Sequence, residues 1–231
     1  MKRFVKIALC TIILALAGID AGAQIGISGY FINSSLRDKE GNKYPGFSGF
    51  QGDLTYNLKF VRVFGIESGA GYVYLRRKED SKVVSTYAAE CYSQEQQIRI
   101  PLHLTLDINI KNGFGFFIFA GGAVNYTISG INAISVAFPE GTATLTYDYC
   151  SGVEGRKNLS DTQYAIVHPE LNTTGRMRRF DAMAEGGIGI KLNSFVMVRG
   201  GYSHSFINRY TSEYDGYARR RQITAGLTLL F

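Results

Sequence analysis

The chain has 231 residues, 25 Lys and Arg against 19 Asp and Glu, a formal net charge of +6, and 15 Tyr, 15 Phe and 27 Gly with no Trp. Beyond Ala23 no uninterrupted apolar run reaches the roughly 18 residues that a membrane helix needs, which excludes a helical membrane protein. Abundant Tyr, Phe and Gly suit twisted strands better than helices, and no shift of composition marks a second domain.

The N-terminus reads as an export signal. Lys2, Arg3 and Lys6 precede the apolar run Ile7 to Gly18, and Ala21, Gly22 and Ala23 offer a small-residue cleavage site before Gln24. The run is too short to span as a helix, although an uncleaved anchor is the alternative. Cys10 lies inside the run and is not placed for lipidation. Residues 1–23 are read as a signal peptide and 24–231 as one mature domain with a net charge of about +4.

From Gln24 onward the apolar positions recur with a period of two. Eight strands are predicted, near 25–33, 50–60, 64–75, 97–108, 115–129, 179–192, 195–207 and 221–231. In the second, Leu54, Tyr56, Leu58 and Phe60 oppose Asp53, Thr55, Asn57 and Lys59. The fourth is the clearest: Ile98, Ile100, Leu102, Leu104 and Leu106 oppose Gln97, Arg99, His103, Thr105 and Asp107. In the last, Ile223, Ala225, Leu227, Leu229 and Phe231 share one face. Each is close to the ~9–11 residues with which a tilted strand crosses a bilayer.

The connections alternate in length. Those at 61–63, 111–113 and 193–194 are short, and those at 36–49, 76–95, 130–178 and 208–220 are long. Short periplasmic turns and longer external loops are the habit of outer-membrane barrels, and an even strand number returns both termini to the periplasm. The expected fold is all-β, an eight-stranded antiparallel up-and-down transmembrane β-barrel. A soluble lipocalin-like barrel with its apolar face inward is the alternative. The third long connection reads as a hairpin around Pro139, Glu140 and Gly141. It either extends the fifth strand above the membrane or adds two further crossings.

The C-terminal pattern of Thr224, Gly226, Leu229 and a terminal Phe231 resembles the assembly signal of bacterial outer-membrane barrels. Together with Ile100-Pro101-Leu102, the FIFAGGAVNY strand and the GGIGIKL strand, it resembles the Bacteroidota outer-membrane barrels called porin-family or PorT-like. The resemblance spans the mature chain. It implies an eight-stranded barrel in the cell outer membrane and engagement with the barrel-assembly machinery, but no particular activity.

The lumen face is predicted to carry Asp53, Glu67, Asp107, Asp181 and Glu185 with Lys59, Arg99, Arg179, Lys191, Arg199 and His103. Balanced charges in so narrow a barrel suit an ion-paired filling, because unpaired buried charge is costly. His204 invites comparison with outer-membrane lipid A deacylases, which place a Ser two residues after the His on the same face. Here that residue is Phe206, and Ser205 points to the other face. His168 is a lone loop residue, and Gly187-Ile188-Gly189 lacks the third glycine of a dinucleotide fingerprint. No cofactor, metal or nucleic-acid partner is expected.

Cys91 and Cys150 both fall in long loops of a disulfide-permitting compartment, where they either pair or remain free. Arg76, Arg77 and Lys78, then Arg176, Arg178 and Arg179, then Arg219, Arg220 and Arg221 fall at one rim, at the height of the anionic groups of outer-membrane lipid and lipopolysaccharide. The function these features favour is a non-enzymatic barrel with long external loops for a structural, adhesive or interaction role. A narrow solute channel and a lipid-modifying enzyme are the alternatives.

Overall fold

Successive side chains of a strand face opposite ways, so alternating Ile98, Ile100, Leu102 and Leu104 with Gln97, Arg99, His103 and Thr105 builds a sheet with one apolar and one polar face. In the computed structural model the apolar set is exposed on the outside and the polar set is buried within. The structure describes residues 24–231 apart from 43–44, 61–62, 80, 112–113, 172, 174–175 and 212–215, so the segment read as a signal peptide lies outside the described residues.

The elements in order are β1 (Gln24–Arg37), β2 (Phe47–Lys59), β3 (Phe64–Lys78), β4 (Lys82–Val84), β5 (Tyr87–Lys111), β6 (Phe114–Phe138), β7 (Gly141–Asp148) and β8 (Val153–Lys157). There follow α1 (Asp161–Val167), a single 3-10 turn His168–Glu170, β9 (Phe180–Lys191), β10 (Val196–Ser205) and β11 (Arg219–Leu230). Every pairing is antiparallel, and the ring runs β5-β3-β2-β1-β11-β10-β9-β6 before β6 closes on β5. The chain is thus a closed, eight-stranded antiparallel barrel. An outward apolar face with a charged interior reverses what the soluble lipocalin-like alternative requires.

One break interrupts the β3–β5 ladder. Ser68 pairs with Leu102 and Gly71 with Arg99, but the rungs between are missing. Pro101 has no N–H to give there, and Ser68 Oγ instead donates to the Pro101 carbonyl at 2.9 Å.

The crossing strands match the sequence expectation, as does the hairpin in the third long connection, but the 76–95 connection, expected as a loop, is largely strand. β5 and β6 each run 25 residues, more than twice what a crossing needs. Their upper halves continue as paired strands, β4 flanks β5, and β7 and β8 extend the sheet from upper β6. The hairpin around Pro139 therefore prolongs the fifth crossing strand, and the ten-strand alternative falls because β7 pairs only above the closed ring.

Where β6 leaves the membrane its parity switches. Gln97 opposes Thr127 and Gln96 opposes Ser129, so Ile128 is an extra residue, a bulge. Below it Phe117, Phe119 and Asn125 point inward; above it Ile134, Val136 and Phe138 do. These join Cys91, Leu145, Tyr147, Tyr149, Val167 and Leu171 in an apolar core outside the membrane. α1 closes it, started by a capping box in which Gln163 N–H donates to Ser160 Oγ and Ser160 N–H to Gln163 Oε1.

Candidate functional site

The lumen is filled in layers. Nearest the periplasm, Lys191 Nζ donates to Asp107 Oδ2 at 2.6 Å and Lys59 lies 2.9 Å from the same oxygen. Above, Arg99 from β5 grips Glu185 from β9 through two hydrogen bonds of 2.9 and 2.7 Å. His103 sits between two carboxylates, 3.1 Å from Glu67 and 2.9 Å from Glu185. Arg199 reaches Glu67 at 2.8 and 3.0 Å, and its guanidinium lies 4.0 Å from the Phe119 ring centre. Asp53 accepts from Gln51 and faces Arg99 Nε at 3.7 Å. Glycines make room for the aromatic filling: a Cβ at Gly189 would stand 2.3 Å from the Phe117 ring. The cavity left between these side chains measures about 20 Å³, space for about one water.

A third cluster closes the outer mouth. Glu95 is fully buried and accepts from Tyr149 Oη at 2.7 Å, from Arg209 at 3.1 Å, from Gln97 at 2.6 Å and from Arg220. Tyr149 reaches Glu95 by crossing Gly130, where a Cβ would lie 2.4 Å from its ring. Ser205 donates to Asp181 nearby. The apolar core of the external sheet lies beyond this cluster.

The sequence reading missed Glu95, Arg209 and Tyr149 because it assigned all three to loops. The alternation of Gln97 and Arg99 extends to Glu95 in the same inward parity, and that was the available signal. Arg220 is a correction: expected on the lipid rim, it is fully buried beneath Glu95, since it shares the inward parity of Gln222 and Thr228. Arg77 likewise turns inward, donating to Glu79 at 2.6 Å and Ser93 at 3.1 Å. Arg179, expected in the lumen, is half-exposed and donates to the Thr127 and Ile128 carbonyls at 3.3 and 2.7 Å. Arg76 and Arg178 are exposed, and Arg219 and Arg221 lie half-buried on the outer face.

Cys91 and Cys150 are free thiols, which answers the open question of their pairing. Cys91 lies opposite Ile134, whereas Tyr149 bonds to Gly130, four positions lower on β6. That offset is roughly 13 Å at about 3.3 Å per residue, beyond the ~7 Å a disulfide spans. Burial pushes the Cys150 thiol up to about 11.

On the external surface, Glu154 of β8 accepts from Tyr164 at 2.9 Å and lies 3.0 Å from His168, tying β8 to α1 and the turn after it. The Tyr164 hydrogen bond, with His168 behind it, holds the Glu154 carboxyl below its ordinary range. His204 is on the outer face beside Phe206, while Ser205 is buried against Asp181, so no His–Ser pair forms there. Among the described residues no group of three or more His, Cys, Asp or Glu is arranged to hold a metal ion.

At the C-terminal seam, Phe231 N–H donates to the Ile25 carbonyl at 2.8 Å and its ring is exposed. Leu229 is exposed on the same face, and Gly226 passes close to Gly29 and Tyr30 of β1. Thr224 Oγ1 donates to the Gly201 carbonyl at 3.4 Å.

The family described as outer membrane protein beta-barrel domain matches residues 16–210. Among solved structures, the chain is similar to Ail, the attachment invasion locus protein of Yersinia pestis, with 11% identity over 90% of this chain and 99% of that one and a TM-score of 0.44. It is similar to OprG from Pseudomonas aeruginosa, with 15% identity, 91% and 96% coverage and a TM-score of 0.41. It is also similar to Neisserial surface protein A, with 10% identity, 91% and 99% coverage and a TM-score of 0.40. Comparison with curated proteins returns no match.

Proposed function

Because the chain belongs to the outer membrane protein beta-barrel domain family, we propose that it is a non-enzymatic barrel whose filled lumen serves as an anchor and whose external sheet is the working surface, in adhesion or another interaction. The observation that carries this reading is the continuation of β5 and β6 past the membrane into a sheet with its own apolar core. A chain that needed only to cross would gain nothing from ordering those residues, because ordering each costs roughly 1–2 kcal/mol of backbone entropy.

The ion-paired lumen supports the anchor half of the reading. A solute path would have to part the Arg99–Glu185 fork, unseat Glu95 from two arginines and displace the apolar cap. Catalysis is not part of the reading. His103 is held between carboxylates, and the Ser203 hydroxyl donates to Glu185 at 3.1 Å.

Within the family we place the chain beside the Bacteroidota porin-family or PorT-like barrels, on Ile100-Pro101-Leu102, the GGIGIKL strand and the closing Phe231. Engagement of the barrel-assembly machinery through Thr224, Gly226, Leu229 and Phe231 belongs to the same reading.

Two measurements test it. Purified protein in planar bilayers should show no stable conductance. Cells displaying the full chain should adhere to other cells or to matrix, and shortening β6 and β7 to a tight turn after Gly130 should abolish adherence while leaving the barrel folded. A stable conductance, or unchanged adherence by the shortened chain, overturns the proposal.

A further inference from the structure

The outer face of the barrel carries a cluster of cations at the seam where its first and last strands meet, with no carboxylate partner among the described residues. Arg37 of β1 faces Arg219 of β11, and Arg221 lies between Ser35 of β1 and His204 of β10. Like charges directly across a ladder repel. The Nε atom of each of the three arginines is sealed from solvent and has no hydrogen-bond partner. Of the terminal nitrogens, Arg37 Nη1 donates to the Gly41 carbonyl at 2.8 Å, and the Arg219 guanidinium lies 5.2 Å from the Tyr217 ring centre. Asp38, beside Arg37 in sequence, accepts from Asn42 through both its oxygens at 2.8 and 2.9 Å. Among the described residues no carboxylate pairs with the three guanidinium groups.

Their height is also defined. Toward the periplasm, Ile223 and Tyr202 stand one step below Arg221 and His204 on the same faces, and Phe31 follows Ser35 and Asn33 on β1; all three are exposed. Below them β11 is apolar outward to Phe231. The distance from Phe231 to Arg221 is that of a crossing strand, about ten residues. The cluster therefore sits where hydrocarbon gives way to head groups, on the side of the external sheet. What meets a side chain there is lipid.

We propose that Arg37, Arg219, Arg221 and His204 form a binding site for the phosphate groups of an outer-leaflet glycolipid, and that the bound lipid joins β1 to β11 across the closing seam. A phosphate presents several oxygens and accepts parallel hydrogen bonds from a guanidinium fork, so one group can engage arginines from both strands. Its charge cancels the repulsion across the ladder. The site is smaller than the rim that the sequence suggested, because Arg77 and Arg220 turn inward, and it gains Arg37 and His204.

Native mass spectrometry of the folded full-length mature chain in neutral detergent tests the proposal, with bisphosphorylated lipid A, dephosphorylated lipid A and inorganic phosphate as separate probes. Bisphosphorylated lipid A should be retained and raise the unfolding temperature; the other two should do neither. Arg219→Gln with Arg221→Gln should weaken retention by about tenfold per arginine, a typical loss for a charge-assisted hydrogen bond. Arg76→Gln, on the far side of β2, should leave it unchanged. If the double variant does not fold, Arg219→Lys with Arg221→Lys keeps the charge and removes the fork, and should still lose retention. Equal retention of dephosphorylated lipid A, a matching effect of inorganic phosphate, or undiminished binding by folded variants overturns the proposal.

Discussion

Arg99 and Glu185 meet across the lumen through two parallel hydrogen bonds of 2.9 and 2.7 Å, although 86 residues separate them in the chain. The pair joins β5 to β9, which are not neighbours in the ring. His103 and Ser203 also lean on Glu185, so one carboxylate ties three walls of the barrel together. Ions so far from water hold only while each has its counter-charge, because the desolvation cost is met by the partner and not by solvent.

That dependence predicts an asymmetry. Glu185→Leu alone takes from Arg99 both hydrogen bonds of the fork and leaves it buried with only Asp53 at 3.7 Å, and should cost about 3–5 kcal/mol. Arg99→Leu together with Glu185→Leu should cost less than the sum of the two single changes. Urea unfolding of the barrel in lipid vesicles, followed by heat-modifiable gel migration, measures all three. Strict additivity would mean that the fork is not an energetic unit.

The two faces of β5 predict a second contrast. Leu104 is 62% exposed toward lipid, and Thr105, one residue on, is buried in the lumen. Leu104→Arg places a charge near the middle of the apolar band and should cost about 2–4 kcal/mol. Thr105→Ser removes one methyl group and should cost less than about 1.5 kcal/mol. The same unfolding assay compares them, and equal losses would invert the assignment of faces.

How much of this could be read from the sequence depended on what surrounded each strand. Inside the membrane a residue meets either lipid or lumen, so the period of two around Ile100 and Arg99 identifies crossings and lumen residues together. Above the membrane that rule lapses. Ile134 and Val136 are buried by the protein's own hairpin and α1, and the bulge at Ile128 flips the parity of β6 just where the surroundings change. A search for steady alternation stops there, which is why the hairpin around Pro139 read as an extension or as two further crossings, and why β4, upper β5 and β8 read as loop. The buried Glu95 cluster was hidden by the same step. Its members come from β5, from the turn after β7 and from both sides of the β10–β11 connection, and no local pattern links them.

The external sheet should respond to acid through Glu154. Its folded carboxyl is held below the ordinary value of 4.5 by Tyr164 and His168. A depressed carboxyl contributes stability that is complete above the unfolded value and is lost as pH falls through 4.5 toward the lower folded one. Protonation removes an acceptor that joins β8 to α1. Hydrogen exchange in α1 should therefore quicken as pH drops below 4.5, after correction for intrinsic rates, while the membrane-level part of β5 stays protected. Glu154→Gln should exchange faster at neutral pH and respond less to acid. A wild-type profile flat through that window would place the docking of α1 elsewhere.

The last prediction concerns how the ring closes. Twelve β1–β11 rungs run from Arg37 opposite Arg219 down to Gly26 opposite Leu230, and Phe231 continues the ladder by exchanging backbone hydrogen bonds with Ile25. In a bilayer an unpaired strand edge has no water to satisfy it, so this seam must zip completely for the barrel to be stable. Phe231 is 71% exposed, so its ring adds little packing to the folded protein. Its backbone makes the seam's final hydrogen bonds, and on the proposed engagement of the assembly machinery its ring would act before folding is complete. Phe231→Ala keeps the backbone bonds and loses the aromatic group; deleting Phe231 loses both. Outer-membrane yield of heat-modifiable protein should fall for both variants. Refolding into lipid vesicles without any assembly factor should be impaired mainly by the deletion. If Phe231→Ala lowers yield equally in cells and in vesicles, the ring acts in folding itself and not as an assembly signal.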